Sequence, residues 1–397
     1  MTKNTDFLIM GGGIIGLSIA REIQARHPAS SITIIEKEKK CGEHGSGRNS
    51  GVLHSGVYYP ADTLKAKFTK DGNRKWQEYC QERNLFLDQC GKLILATTQE
   101  ELKGLDIIED RAIQNNVSIQ RLDAKGIYEI EPRANTIESG LFVPSTATID
   151  PNEINNSISK EFKDSGGNLL LDCAYLKKLS GRNNVLTSKE VISAGYIINC
   201  AGLHADKVAH DFNMGLDFTM LPFKGLYLYS SNQNSAPKVH IYPVPDLNNP
   251  FLGVHLTRTI SGGVKAGPTA MPALWRENYS GLKNFNVKEL IEISLREAYM
   301  FAMNKNGFPK LAFEEIRKQS KYFLINDASR LIANIKSMKF DTWGRPGIRA
   351  QLVSKKTNEL VMDFLVEQDK NSMHILNAVS PAWTCALSFS EYIVDQI

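Results

Sequence analysis

Three groups of residues in this chain have the types and spacing that chemistry needs. The first is Gly11-Gly12-Gly13-Ile14-Ile15-Gly16, followed twenty residues after its last glycine by Glu36. Gly11 permits a tight turn, Gly13 lets the backbone approach a pyrophosphate, and Gly16 lets a helix pack closely on a strand. The helix start adds free N–H groups and partial positive charge. Glu36 is placed to accept hydrogen bonds from two ribose hydroxyls, and its charge would repel a 2′-phosphate, which argues against NADP. Alone, the motif does not separate FAD from NAD. The second group is His240, Tyr242, His255 and Arg258. Histidine titrates near neutral pH, as a proton acceptor should, and the arginine fork matches a carboxylate. His240 and Tyr242 share one face of a strand, whereas His255 and Arg258 point to opposite faces. The third group lies in residues 42–59, rich in Gly, Ser and His and too irregular for a regular element. It reads as a functional loop.

These groups need elements to position them. Residues 6–10 read as a buried strand, 14–26 as a helix with Ile15, Ile19 and Ile23 on its apolar face, and 31–36 as a second strand. Strand, helix and strand make a βαβ unit with the glycines at its first turn. Residues 61–84 read as an amphipathic helix. From Gly91 onward the chain is β-rich, with strands expected at 93–97, 169–172, 196–199, 226–229 and 251–255, and a helix at 287–304. A strand at 374–378 and a helix at 384–397 close it. A length of 397 residues implies two domains. The absence of a linker implies that they are interleaved.

Composition narrows the function classes. Apolar residues are 42%, charged residues 23% and the net charge is +4. The densest basic cluster, Lys37 to Lys40, is interrupted by Glu38, so nothing suggests a nucleic-acid partner. Six scattered cysteines form no CxxC pair. They read as reduced thiols of a cytoplasmic protein, with no disulfide frame and no metal site. No apolar run reaches the ~18 residues of a transmembrane segment. A strand and its glycine turn begin within ten residues of Met1, which leaves no room for a signal peptide.

Further motifs occur in order along the chain. They are Gly45-Ser46-Gly-Arg48-Asn49-Ser50-Gly51-Val52-Leu-His54-Ser-Gly-Val-Tyr58-Tyr59, Asn199-Cys-Ala201-Gly202, Tyr242-Pro-Val-Pro245, Leu252-Gly-Val-His255-Leu-Thr-Arg258, Gly344-Arg345-Pro-Gly-Ile348 and Asn377-Ala-Val-Ser380-Pro381-Ala382-Trp383-Thr384. Together they resemble the D-amino-acid-oxidase superfamily of flavoenzymes, the DAO family. Within it the sequence is most similar to the L-2-hydroxyglutarate dehydrogenase/oxidase branch, from about Asp6 to the C-terminus.

The resemblance implies an α/β, two-domain fold: a Rossmann-like FAD-binding domain interleaved with an antiparallel-sheet substrate domain. The expected FAD domain comprises 1–90, 147–211 and 335–397, and the substrate domain 91–146 and 212–334. FAD is expected to be non-covalent, because Arg48 stands where some members carry a flavin-linking histidine. The implied cofactor shell is Gly11, Gly13, Ile14, Ile15, Gly16, Glu36, Lys37, Gly45, Ser46, Asn49, Ser50, Gly51, Val52, Ala201, Gly202, Arg345 and the start of the last helix, Ser380 to Thr384.

Oxidation of a hydroxy acid requires a carboxylate anchor, a base and an electron sink. The resemblance makes His54 the first candidate base and His255 the second. It makes Arg345 the carboxylate anchor and Arg258 the holder of a distal carboxylate. Tyr242 resembles a substrate-binding tyrosine. Lys224, His240 and Tyr59 complete the expected substrate shell. The implied reaction is oxidation of an L-2-hydroxy acid, L-2-hydroxyglutarate first, to the 2-keto acid. Oxidation of an amino acid or secondary amine is the alternative within the fold, and a non-catalytic flavin redox module or an NAD dehydrogenase lies outside it. The electron acceptor is open between oxygen, a quinone and a carrier protein. A quinone would bring this cytoplasmic protein against the inner face of a membrane, although no amphipathic anchor stands out in the sequence.

Overall fold

The computed structural model describes residues 2–181, 183–246, 252–304 and 307–397. Strand Thr2–Met10 runs parallel between Ile32–Ile35 and Val191–Asn199. Asn168–Leu170 extends this arrangement beyond Ile32–Ile35. The far edge of Val191–Asn199 is shared: Asn184–Thr187 pairs its first half and Ser372–Asn377 its last residues. Tyr175–Lys178 and Leu365–Gln368 complete an eight-stranded sheet. Leu8, Ile9 and Met10 are consecutive and all buried, as a parallel strand covered on both faces requires. Helix Ile14–Arg26 covers one face and shares a core with Pro151–Asp164 and Ala382–Val394 through Leu17, Ile19, Ile158 and Phe389. The helix expected at 61–84 is Leu64–Glu82, begun by Thr63, whose Oγ1 accepts from the Ala66 N–H.

The second eight-stranded sheet has the order Phe340–Trp343, Leu228–Ser230, Val264–Gly267, His255–Arg258, His240–Pro243, Lys92–Leu95, Ser139–Val143, Gln120–Asp123. It is antiparallel except between His240–Pro243 and Lys92–Leu95. Strand alternation gives it two unlike faces. Leu93, Leu95, Ile241, Leu256 and Ala266 point one way and form a core with Leu324 and Ala328 of helix Lys321–Ser329. Pointing the other way is a row set by the register: Lys92 beside His240, then Thr257, Lys265 and Tyr229. Phe340–Trp343 joins this sheet although the sequence groups it with the C-terminal stretch.

Two strand expectations need correction. The strand expected at 251–255 is His255–Arg258 instead. Ladder pairing to Val264–Gly267 begins only at His255, whose Nδ1 meets the Gly253 carbonyl in a local turn; Phe251 lies outside the described residues. The strand expected at 226–229 is divided. Phe218–Gly225 pairs with Gly347–Ser354 in a separate three-stranded sheet, whereas Leu228–Ser230 belongs to the large one. Leu226 and Tyr227 cross between the two.

Candidate cofactor cleft and substrate cavity

At the end of Thr2–Met10 the backbone turns sharply. Gly11 has φ 115°, a conformation that strains any L side chain, and a Cβ there would sit 2.4 Å from the Cys200 carbonyl oxygen. A Cβ at Gly16 would sit 2.1 Å from the Gly11 oxygen, so helix and turn meet only because both are glycine. Glu36 is held by the N–H groups of Gly12, at 2.8 Å, and Glu38, at 2.9 Å. Ser46 Oγ accepts from the Ile14 N–H at 2.9 Å, which ties the 42–59 loop to the helix start.

A cavity of about 730 Å³ opens over this turn. Gly11, Gly13, Ile14, Ile15, Glu36, Lys37, Gly45, Ser46, Asn49, Ser50 and Val52 line it, with Ala201, Gly202 and Ser380 to Thr384. Gly16 and Gly51 do not. Gly16 serves packing, and Gly51 takes φ 70° in a turn closed by the Asn49 side chain. A glycine cradle at one helix start, a fixed carboxylate beside it and a second helix start at Ala382–Val394 fit FAD in three places. They suit pyrophosphate, ribose and the electron-rich edge of the ring respectively.

His54, Tyr227 and Arg349 line the same cavity. The His54 backbone N–H donates to Thr384 Oγ1 at 3.1 Å, which fixes the loop against the last helix. Its Nδ1 is buried without a protein partner. Burial, with the Lys92 charge nearby, pushes its pKa down to about 3, so the ring is a neutral imidazole at working pH. Arg349 stands on Gly347–Ser354 opposite Phe223, and its Nη1 donates to the Thr269 carbonyl at 3.2 Å.

The polar face of the large sheet holds several buried groups. Lys92 is fully buried, and its Nζ has no hydrogen-bond partner. It lies 4.5 Å from the Tyr58 ring centroid and 5.1 Å from that of Tyr242, and burial lowers its pKa to about 7. Lys265, also buried, is lowered to about 8 and lies 4.7 Å from the Tyr227 ring centroid. Among the described residues neither lysine forms an ion pair. His255 stacks on Tyr242 at 3.9 Å, and its Nδ1–H donates to the Gly253 carbonyl at 2.8 Å, which leaves Nε2 as an acceptor. Burial holds its pKa near 3.

Other expected site residues are engaged elsewhere. Arg345 does not line the cavity; its side chain is 69% exposed and its nearest carboxylate is Glu43, at 3.7 Å. Two residues into the following strand, Arg349 turns inward instead. Arg258 pairs with Asp88 at 3.1 Å and donates to the Pro237 carbonyl. His240 has both nitrogens occupied: Nδ1 accepts from the Arg258 N–H, and Nε2 faces Thr148 Oγ1. Lys224 donates to Asn278 at 2.9 Å. Tyr59 sits beside Lys65, outside the cavity lining. Arg349, Tyr227, Lys92 and Lys265 are not among the residues that motif and spacing point to. A lysine opening the apolar run Leu93 to Leu95 is the signal the sequence carries for one of them.

Glu38, His44 and Glu277 hold ligand-type atoms within 4.8 Å of one another. Lys37 already supplies positive charge there, bonded to Glu38 and 2.9 Å from Glu277. The cluster is an ion-pair network at the rim of the cavity.

A glycine cradle with a fixed carboxylate, in one cavity with a neutral histidine and an arginine, defines a flavin-dependent oxidoreductase. The chain belongs to the DAO family of FAD-dependent oxidoreductases, whose model matches residues 6–396. It is 35% identical to the L-2-hydroxyglutarate dehydrogenase of Indibacter alkaliphilus, over 98% of this chain and 97% of that protein. It is 31% identical to the mitochondrial L-2-hydroxyglutarate dehydrogenase of Homo sapiens, over 100% of this chain and 89% of that one. Among solved structures, the L-alpha-glycerophosphate oxidase of Mycoplasma pneumoniae with FAD bound superposes with a TM-score of 0.78 at 22% identity, covering 99% of this chain and 94% of that one.

Proposed function

We propose that this FAD-dependent enzyme oxidises the CH–OH group of L-2-hydroxyglutarate to the 2-keto acid. The observation that carries the reading is a charge imbalance. Arg349 lines the cavity with His54, Lys92 lies close enough to His54 to lower its pKa, Lys265 sits against the Tyr227 ring that lines the cavity, and the two buried lysines have no carboxylate partner among the described residues. Buried cations without counter-ions are costly unless a ligand brings the charge, and a dicarboxylate brings two. The relatives named above support the same substrate.

FAD, when bound, supplies the two-electron sink. The chain's residues do the rest. Arg349 grips the C1 carboxylate with its planar fork. Lys265, with Lys92 behind it, provides the field for the distal carboxylate. The neutral His54 imidazole takes the hydroxyl proton. His255 Nε2 stands as the second acceptor. The residues at 11–52, 201–202 and 380–384 hold the cofactor non-covalently, and Arg48 is engaged with the Glu43 carbonyl and the Tyr279 ring. The discontinuous domain division at 1–90, 147–211 and 335–397 accompanies this reading. The word dehydrogenase in the relatives' names supports an acceptor other than oxygen, and a membrane quinone suits it.

The test is anaerobic mixing of the FAD-loaded enzyme with L-2-hydroxyglutarate, its D enantiomer, glycerol 3-phosphate and sarcosine. The flavin absorbance should bleach with the first alone. Bleaching by the amine or the phosphate ester, with L-2-hydroxyglutarate inert, overturns the reading.

A further inference from the structure

Helix Phe308–Arg317 buries two residues, Phe308 and Glu315. The phenylalanine joins a core with Leu221, Phe223 and Val353, as an apolar side chain should. The glutamate goes inward with a charge, and it is only 3% exposed. A buried carboxylate is costly unless its oxygens are taken up. Oε1 accepts from Lys318 Nζ at 2.5 Å, which is local pairing within the same segment. Oε2 accepts from the backbone N–H of Ala270 at 2.5 Å, and that bond reaches into another part of the fold.

The part it reaches is the turn between strand Val264–Gly267 of the large sheet and Met271–Pro272 of the three-stranded one. Pro268 within it has no N–H to give. On one side the turn is tied to Leu226. The Thr269 N–H donates to the Leu226 carbonyl at 3.1 Å, and Thr269 Oγ1 accepts from the Leu226 N–H at 3.0 Å. On the other side the tie is the Ala270 bond to Glu315. Between the two ties stands the Thr269 carbonyl, which accepts from Arg349 Nη1 at 3.2 Å. Pro268 and Arg349 both line the cavity with His54.

Electrostatics follow the same line. Burial pulls the Arg349 pKa below its ordinary value, and Tyr227 and Glu315 act the other way. Glu315 is therefore close enough to act on the guanidinium through space as well as through the turn. A guanidinium fork takes both oxygens of a carboxylate only when its plane is correctly set. Fixing one corner on the Thr269 carbonyl sets that plane.

We propose that Glu315 is a positioning residue of the substrate site: by holding the Ala270 N–H it fixes the Thr269 carbonyl, and that carbonyl aims the Arg349 guanidinium at the substrate carboxylate. The inference rests on the reading of Arg349 as the anchor. Glu315 does not line the cavity. A carboxylate inside it would repel an anionic substrate. Withdrawn behind Ala270 and paired with Lys318, it acts on the arginine without opposing the ligand.

FAD-loaded full-length variants are compared by steady-state kinetics, with whichever substrate of the panel above bleaches the flavin. Glu315→Ala with Lys318→Met removes the tie and leaves no buried charge unpaired. KM should rise about tenfold and kcat change less than about twofold, with flavin retained. Glu315→Asp keeps the charge but shortens the reach by one methylene, and KM should rise about fivefold; this variant decides if the double variant does not hold flavin. Glu315→Gln, whose amide oxygen can still accept from Ala270, should stay within about twofold of wild type. In an Arg349→Ala background each Glu315 change should add less than about twofold, because its route to the substrate is gone. A general loosening of the structure would persist there. An unchanged KM in the double variant, or in Glu315→Asp where that is the variant holding flavin, overturns the inference. So does the full increase persisting without Arg349. Arg349→Ala with a wild-type KM faults the anchor reading itself, and this inference falls with it.

Discussion

The Lys265 ammonium lies 4.7 Å from the centroid of the Tyr227 ring, and Tyr227 lines the cavity that also holds His54 and Arg349. The contact joins the polar face of the large sheet to the reacting end of the cleft. Burial lowers Lys265 to about 8, so it is charged below that pH and loses its charge above it. Lys265→Met is expected to raise KM for L-2-hydroxyglutarate about 10–100-fold, the size of one lost charge-assisted contact, with FAD retained. An unchanged KM removes Lys265 from substrate binding.

His54 should show itself in both rate and pH profile. His54→Gln is expected to lower kcat by about 10²–10⁴, the usual yield of a positioned base. With its pKa held near 3, the ring stays neutral as pH falls through 6. The kcat/KM profile should therefore show no limb rising with pH between about 5 and 7, and should fall from about 7 upward as Lys92 and then Lys265 lose their charge. A limb rising with pH and centred near 6.5 would show that the imidazole is not the group described here.

Arg345 and Arg349 give opposite expectations. Arg349→Ala should cost about two orders of magnitude in kcat/KM, and Arg349→Lys should recover little, since a lysine cannot grip both carboxylate oxygens. Arg345→Ala, at an exposed side chain, should change kinetics less than about twofold. The reverse pattern would return the anchor to Arg345.

Lys92 carries a stability cost with a defined pH dependence. Its folded-state pKa is about 7 against an ordinary lysine value of 10.5, so the unfolded chain binds more protons between those values. Stability should rise with pH across that window. Lys92→Met should raise the melting temperature by several degrees at pH 7 and by much less at pH 10, measured by calorimetry, while activity falls. A variant less stable at pH 7 would mean that the lysine is held by more than its two aromatic neighbours.

The cofactor half of the site was legible in the sequence because it is local. Gly11, Gly16 and Glu36 lie within one βαβ unit, where spacing alone sets the geometry. The substrate half was not. Lys92, Lys265 and Arg349 come from three separate strands in two sheets, Tyr227 comes from the link between those sheets, and only the tertiary fold brings them together. Arg258 shows a related limit: periodicity gives the face of a strand, but not the Asp88 with which the side chain pairs there. Arg345 illustrates a third limit. A loop arginine and a strand arginine four residues apart differ in direction, and motif position does not decide between them.

The central sheet has a consequence for how the molecule is made. Its first strand, Thr2–Met10, pairs on one side with Val191–Asn199, whose edge is completed by Ser372–Asn377. The helix that lines the cavity follows, at Ala382–Val394. On the ribosome the glycine cradle is made before the wall that faces it. Flavin capture must therefore await the strand and helix of 372–394, and a nascent chain stalled before 372 would present an apolar strand edge with its partner still unmade.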